Sequence, residues 1–236
     1  MNQFAMAFTP DKLEEAWHVF LTEFPLGLWE TVYVTLLATL FAIILGLPLG
    51  ILLVTGDEKG IRPLPKPLMK ALNVIINFLR SVPFLILMVM VIPLTRAIIG
   101  TSIGSVASIV PLVVAAFPFV ARLVESSLRE LDPNIIEMAQ SMGSSTAQII
   151  FRVMLPESVP SLVTNFTLAI TTILGYTAMS GAMGGGGLGK IAINYGYSRY
   201  KYAVLYLAVI VLVLLVQVFQ SVGTRLATRL DKRIQK

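Results

Sequence analysis

The chain has 236 residues, 56% of them hydrophobic and 13% charged, with a mean hydropathy of +0.82. Soluble globular chains run at about 45–50% apolar and about 25% charged residues, so this composition excludes the soluble class and indicates a membrane protein. The formal charge of +5 does not point to nucleic acid, because no basic patch is interleaved with aromatics, and the absence of Cys excludes disulfides, thiolate metal sites and iron–sulfur clusters.

The chain begins with a polar stretch, expected as an extracytoplasmic segment over residues 1–25. Asp11, Glu14, Glu15 and Glu23 precede the first apolar span, unlike the basic start of a cleavable signal peptide. The single histidine, His18, sits among Glu14, Glu15 and Trp17 and reads as a surface or interfacial side chain rather than a metal ligand. Five stretches then lack Asp, Glu, Lys and Arg: Thr31–Gly56, Ser81–Thr95, Ala97–Ala121, Ser158–Gly189 and Tyr202–Thr224. Four of them reach the roughly 20 residues that cross about 30 Å of hydrocarbon as a helix. Ser81–Thr95 spans only if its helix begins near Leu72 and carries Arg80 close to a polar end. The fifteen Leu, Ile, Phe and Val residues between Leu72 and Leu94 favour insertion by about 5–9 kcal/mol, against about 2.5–3.5 for a central Arg. The expectation is an all-α integral membrane protein with about five transmembrane helices in one domain over 26–230. Pro48, Pro83, Pro93, Pro111 and Pro118 are expected as kinks, and Gly46 and Gly50 as a site of close helix approach.

Five crossings place the termini on opposite sides. With the N-terminus outside, thirteen of the eighteen Lys and Arg fall on the cytoplasmic side, among them Lys59, Arg62, Lys66, Lys70 and Arg80, then Arg122, Arg129 and Arg152, then the cluster from Arg225 to Lys236. The positive-inside bias therefore predicts N-out, C-in, with a cytoplasmic tail over 231–236.

A cytoplasmic loop over 132–157 lies between the third and fourth spans. Asp132-Pro133 reads as an N-cap followed by Pro at the first helical position. Ile135, Met138, Ala139 and Met142 recur at helical spacing as an apolar stripe, and Gly143 ends the turn. Ser145-Thr146-Ala147-Gln148 is a capping-box pattern that starts a second helix, apolar through Ile149, Ile150, Val153 and Met154 and expected to stop at Leu155-Pro156. Such a helix pair with a mixed face suits recognition by a soluble partner; a lipid-surface helix would carry more Lys and Arg than Arg152 alone.

This loop resembles the docking loop by which permease subunits of ATP-binding-cassette importers engage their ATPases. The family loop reads Glu-Ala-Ala, three residues, Gly, nine residues, then Ile-x-Leu-Pro. Here Glu137-Met138-Ala139, Gly143 and Val153-Met154-Leu155-Pro156 keep the spacing, with Met138 for the second-position Ala and Val153 for Ile. The resemblance implies that Glu137, Met138, Ala139, Met142, Gly143, Ile150, Arg152, Leu155 and Pro156 form the ATPase-coupling surface.

The run Gly184-Gly185-Gly186-Gly187-Leu188-Gly189-Lys190 nearly spells a phosphate-binding loop, but Ile191 replaces the Ser or Thr that would meet Mg²⁺ and no buried strand precedes it. The preceding Gly175-Tyr176-Thr177-Ala178-Met179-Ser180-Gly181 is rich in small residues, with Tyr176 and Met179 three apart as its bulky groups. They read either as lining or gating a pathway or as packing residues in a dimer core. With Tyr195-Gly196-Tyr197 beyond it, this segment resembles the methionine-importer branch of the same permeases, from which Thr177 and Ser180 depart mildly.

By that resemblance the chain is the transmembrane permease subunit of an ATP-driven amino-acid importer in the cytoplasmic (inner) membrane, methionine being the implied substrate. It is expected to work as a pair of identical chains with two cytoplasmic ABC ATPase subunits and an extracytoplasmic methionine-binding protein, within membrane lipid and without nucleic acid. No catalytic residue, metal or cofactor is expected on this chain; ATP and Mg²⁺ belong on the partner ATPase. A permease for another amino acid or small organic solute is the alternative within the class. An ion-coupled secondary transporter is the alternative outside it, weakened by the charge-free spans.

Overall fold

The structure is a computed structural model that describes residues 9–231, and all regular elements among them are helices. The first eight residues of the expected N-terminal segment lie outside the described residues. So does the expected tail beyond Asp231, with Lys232, Arg233 and Lys236 of the charge count. The elements are α1 (Pro10–Thr22), α2 (Phe24–Thr55), α3 (Lys66–Ser81), α4 (Phe84–Met90), α5 (Ile92–Ile99), α6 (Ser105–Arg129), α7 (Pro133–Ser141), α8 (Thr146–Met183), α9 (Gly187–Ile191) and α10 (Tyr202–Leu230).

Four helices, α2, α6, α8 and α10, with 32, 25, 38 and 29 residues, are each long and apolar enough to cross a bilayer alone. The expected second span differs from a single helix over 72–94. It is broken into α3, α4 and α5, and only α3 and α4 together, bent by 108° at their junction, are long and apolar enough to cross. The cause is proline. Pro83 drives Val82 out of the helical region, to φ −76 and ψ 125, and Pro93 falls in the first turn of α5. α3 is also amphipathic rather than uniformly apolar, since Lys66, Lys70, Asn73, Asn77 and Arg80 recur along one face. Pro48 and Pro160, by contrast, remain inside α2 and α8.

The chain forms two compact units, and four helices contribute residues to both. Among the described residues, one unit comprises 9–39, 83–113 and 170–219. Its core joins Ala16 and Val19 of α1 to Phe24, Leu188, Ile191, Val204 and Ala208. Hydroxyls supply its polar contacts: Thr31 and Thr177 donate to carbonyls four residues back at 2.8 and 2.9 Å, and Thr35 donates to Thr177 at 3.3 Å. The glycine run turns the chain here, with Gly184 and Gly187 at φ +91 and +79. The amides of Gly187 and Leu188 donate to the Glu30 carboxylate at 2.7 Å and the Thr31 hydroxyl at 2.9 Å, so an acidic side chain of this same protein occupies the position a phosphate would need. Beyond the turn the backbones touch. A Cβ at Gly181 would fall on Gly189 and Lys190, and one at Gly189 on the Ala178 carbonyl.

The second unit comprises 40–82, 114–169 and 220–231. Gly46 and Gly50 bring α2 against α6, where a Cβ would meet Val120 at 2.8 Å and the Ala121 carbonyl at 2.6 Å, as the small-residue pair implies. α6 and α8 are tied by Asn165, which donates to Ser127 at 2.7 Å, and by Ser161, which donates to Glu130 at 2.7 Å.

The Gly181–Gly189 contact predicts that Gly189→Ala lowers thermal stability by about 1–3 kcal/mol through overpacking. Gly175→Ala, where a Cβ meets nothing within 4 Å in a single copy of the chain, should lower the melting midpoint less than Gly189→Ala does. Fluorescence-monitored melting of the detergent-solubilised protein measures both, and a G189A midpoint equal to wild type would contradict the packing.

Candidate functional site

The loop assigned to docking folds on its own capping groups. Asp132 accepts the Asn134 amide at 2.9 Å and Pro133 starts α7, so the helix begins at the expected residue. It ends in a pair of reverse bonds, Gly143 N–H to the Gln140 carbonyl at 2.9 Å and Ser144 N–H to the Ala139 carbonyl at 3.1 Å. That termination requires a left-handed residue, and Gly143 supplies it at φ +77. The capping box follows: Ser145 N–H donates to Gln148 Oε1 at 2.8 Å and Gln148 N–H to Ser145 Oγ at 3.4 Å.

The second helix does not stop at Leu155-Pro156. It runs on as α8, through a π-helical turn over Ile149–Met154, to Met183. In a regular α-helix the Pro156 ring would press on the carbonyl four residues back. Here the turn before it is already widened, with the Leu155 amide donating five residues back to Ile150, so the helix passes the proline. The second member of the expected helix pair is therefore the first part of the fourth span.

α7 packs on the π-helical turn, and this contact sorts the assigned residues. Ala139 is buried, and Ile150 and Leu155 are half-buried. Glu137, Met138, Met142, Gly143, Arg152 and Pro156 are exposed. The expected apolar stripe therefore divides, because Ile135 and Ala139 turn inward while Met138 and Met142, four residues apart, stand 60% and 79% exposed. Phe151, 67% exposed, joins these methionines as an uncovered large apolar side chain of the loop. The sequence reading missed it, although it is the one member of Ile149-Ile150-Phe151 left off the inward face.

Beside α7 lies a half-open cleft of about 520 Å³ whose lining includes Asp57, Arg129, Ile136, Glu137, Gln140 and Met154. An ionic chain that the sequence reading counted only as topology runs to its wall. Arg122 donates to Asn73 at 2.7 Å and Asn77 at 3.0 Å and pairs with Glu125 at 2.6 Å. Glu125 in turn accepts from Arg129 at 3.0 Å, and Arg129 pairs with Asp57 at 2.8 Å. The chain thus joins α3, α6 and the segment after α2. The Arg129 hydrogen bond, with the Glu58 amide, holds the Asp57 carboxyl below the usual carboxylate range.

The other assigned pair lies near the C-terminal end of α8. Tyr176 is half-buried and stacked on Phe84, centroids 4.7 Å apart and planes 7° apart. Met179 is 48% exposed and stands one turn from Gly175, which is also open. The pair is therefore not equivalent: one ring is packed and one thioether is free of that stack.

Residues 46–236 match the family described as binding-protein-dependent transport system inner membrane component. The chain belongs to that family. It is an all-helical, multi-pass permease component of the inner membrane. It is 46% identical over 205 residues to the probable D-methionine transport system permease protein MetI of Vibrio cholerae, a match covering 87% of this chain and 91% of that protein. Over 155 residues it is 44% identical to the D-methionine transport system permease protein MetI of Escherichia coli K12, covering 66% and 71%. The fold is similar to that in an inward-facing structure of the MetNI methionine ABC transporter. The TM-score is 0.85 at 43% identity, covering 87% of this permease and 95% of that chain. An amino acid ABC transporter at 20% identity and TM-score 0.69 shares the fold.

The Asp57–Arg129 pair predicts a pH response. A carboxylate with a lowered folded pKa contributes stability above its unfolded pKa of about 3.9 and loses it as pH falls through the folded value. Amide exchange over 57–64, corrected for its intrinsic pH dependence, should be flat from pH 8 to 5 and rise only below about pH 4. The effect should be small because the pair is partly exposed. Asp57→Asn should raise exchange from pH 8 to 5 and converge with wild type at the acid end, where the carboxyl is itself neutral; unchanged exchange in that variant at pH 7 would remove the pair's role.

Proposed function

We propose that this chain is the transmembrane permease subunit of an ATP-driven methionine importer, and that two copies form the solute pathway. In this reading Glu137, Met138, Met142, Gly143, Arg152 and Pro156 face a cytoplasmic ATPase subunit, while Ala139, Ile150 and Leu155 hold that surface in shape. The carrying observation is the exposed apolar set Met138, Met142 and Phe151 on a loop whose backbone is fixed by caps at both of its turns. Large exposed apolar groups on a rigid polar-rimmed knob are what a groove-bearing partner recognises. Because the knob continues into α8 without a break, partner movement would reach a transmembrane helix directly.

Methionine as the solute rests on the likeness to the MetI permeases and the MetNI transporter, together with the glycine segment. ATP and Mg²⁺ would bind the ATPase subunits, two of them for two copies of this chain, and an extracytoplasmic binding protein would deliver the solute. The N-terminus lies outside and the C-terminus in the cytoplasm, as thirteen of eighteen cations favour. The open face at Gly175 and Met179 is where the second copy and the pathway meet, with Tyr176 bracing it from behind. Binding-protein release and nucleotide binding each favour one of two arrangements, inward- or outward-facing.

Gly143→Pro tests the coupling, because proline fixes φ near −65° where +77° is needed. Methionine uptake should fall at least ten-fold while the membrane level of the chain stays equal to wild type. Met142→Asp should do the same by placing a charge at the contact. Normal uptake by both variants would defeat the docking assignment, and co-purification of two ATPase subunits with two permease chains tests the assembly itself.

A further inference from the structure

The turn that leads into α10 carries a cluster of cations that the proposed docking and pathway residues do not include. Arg199 lies over the Tyr195 ring, 4.5 Å from its centroid, and Lys201 approaches the same ring at 5.6 Å. Lys201 also pairs with Glu15 of α1 at 2.6 Å, and the Tyr195 hydroxyl donates to Glu23 at 3.1 Å. Tyr200 is held in the left-handed region at φ 58, and the Lys201 amide donates to the Tyr195 carbonyl at 3.1 Å. The cations therefore stand on a fixed aromatic base rather than on a loose loop. With Lys12, Glu15, Tyr200 and Tyr202 they line a cleft of about 200 Å³, in which three cations face one carboxylate.

The cleft's position selects its ligand. Lys201 directly precedes α10, which is free of charged residues from Tyr202 to Thr224, so the cleft opens where an apolar span starts. From its Tyr202 wall an exposed face continues down the helix at helical spacing through Tyr206, Val209, Ile210 and Val213. Tyr197 and Tyr200 beside it are 69% and 70% exposed, and Trp17 of α1 is 59% exposed. Exposed Tyr and Trp gather at the headgroup level of a bilayer, where a cationic cleft and a phosphate are charge complements that form charge-assisted hydrogen bonds. An acidic protein surface would match the cations but not the apolar face that continues from them.

We propose that the cleft of Lys12, Arg199 and Lys201 binds the phosphate of a membrane phospholipid whose acyl chains lie along the exposed face of α10. Arg199 and Lys12 contact the phosphate, and Lys201, shared with Glu15, sets the width of the opening. The site is independent of which solute is carried.

Native mass spectrometry of the full-length detergent-solubilised protein tests this, with dioctanoyl phosphatidylglycerol, dioctanoylglycerol and inorganic phosphate as probes. Removing one cation that hydrogen-bonds the phosphate should weaken binding of the phosphatidylglycerol about five-fold, and removing two about 25-fold. Lys12→Ala alone should therefore weaken it about five-fold and Lys12→Ala with Arg199→Gln about 25-fold, with Arg199→Lys retaining most binding and Lys59→Ala all of it. Dioctanoylglycerol should bind at least ten-fold more weakly than the phospholipid. Equal binding by the double variant would overturn the proposal, as would equal binding of dioctanoylglycerol, which would leave only an apolar surface. Displacement of the lipid by inorganic phosphate at matched concentration would reassign the cleft to the free ion. Loss of association with an extracytoplasmic binding protein, with lipid affinity unchanged, would reassign it to a protein surface.

Discussion

The need to satisfy every backbone amide and carbonyl without water is the constraint on which the rest of this structure depends. In hydrocarbon an unpaired peptide group costs several kcal/mol, so a spanning chain is helical wherever it can be. The informative places are those where it is not. At the glycine run four of the freed groups find partners: Gly185 N–H the Ser180 carbonyl, Gly187 and Leu188 N–H the side chains of Glu30 and Thr31, and the Gly184 carbonyl the Gly104 amide. Glycine serves here because side chains at 181 and 189 would separate the backbones that must meet. A carboxylate near the start of a span, at Glu30, is thereby explained as a backbone acceptor.

The same constraint shapes the loop over 132–157 differently, because its ends can use side chains and a left-handed residue. Asp132, Gly143 and the Ser145–Gln148 pair satisfy the termini of α7 and α8 within the loop itself. The surface that they fix is then free to expose Met138, Met142 and Phe151. On the proposed reading, the rigidity lies in the caps and the affinity in the thioethers and the ring, and methionine's flexibility suits a surface that must release its partner in each cycle. The π-helical turn reconciles two demands, carrying the helix past Pro156 and keeping Ile149 and Met154 buried while Phe151 faces out.

Much of this was legible in the sequence for physical reasons. Long charge-free runs can only be buried in protein or lipid, and α2, α6, α8 and α10 follow from them. The caps were legible because Asp-Pro, Gly143 and Ser-x-x-Gln each act through their own immediate neighbours. What escaped depended on longer-range contacts. Summed insertion energies treated Leu72–Leu94 as one helix, although Pro83 was in view and the Lys66–Arg80 polar face had the period of an amphipathic helix. Helical spacing placed Ile135, Ala139, Met138 and Met142 together, yet only the packing of α7 on the π-helical turn decides which pair is covered. α1 was read as a bare leading segment, because Ala16 and Val19 gain an apolar surface only once Leu188 and Val204 have been brought to them by the glycine turn.

Charge in this chain has two uses that net charge conflates. Cations set apart from partners bias topology, and that use needs only number and side. Arg122 and Arg129 belong to a second kind, since each is committed to a named carboxylate and their side chains are 21% and 48% exposed. In a partly dehydrated setting such a chain resists loss of any one member, because an unpaired charge would be left behind. It links α3, the segment after α2 and the helix that leads into α7, so these move together or the pairs must break. An ion-coupled transporter would need an intramembrane ionisable group able to exchange its partner. Glu30, Arg122 and Glu125 instead each have partners within the fold, an arrangement in which a carboxylate or guanidinium serves to hold helices and backbone together rather than to carry an ion.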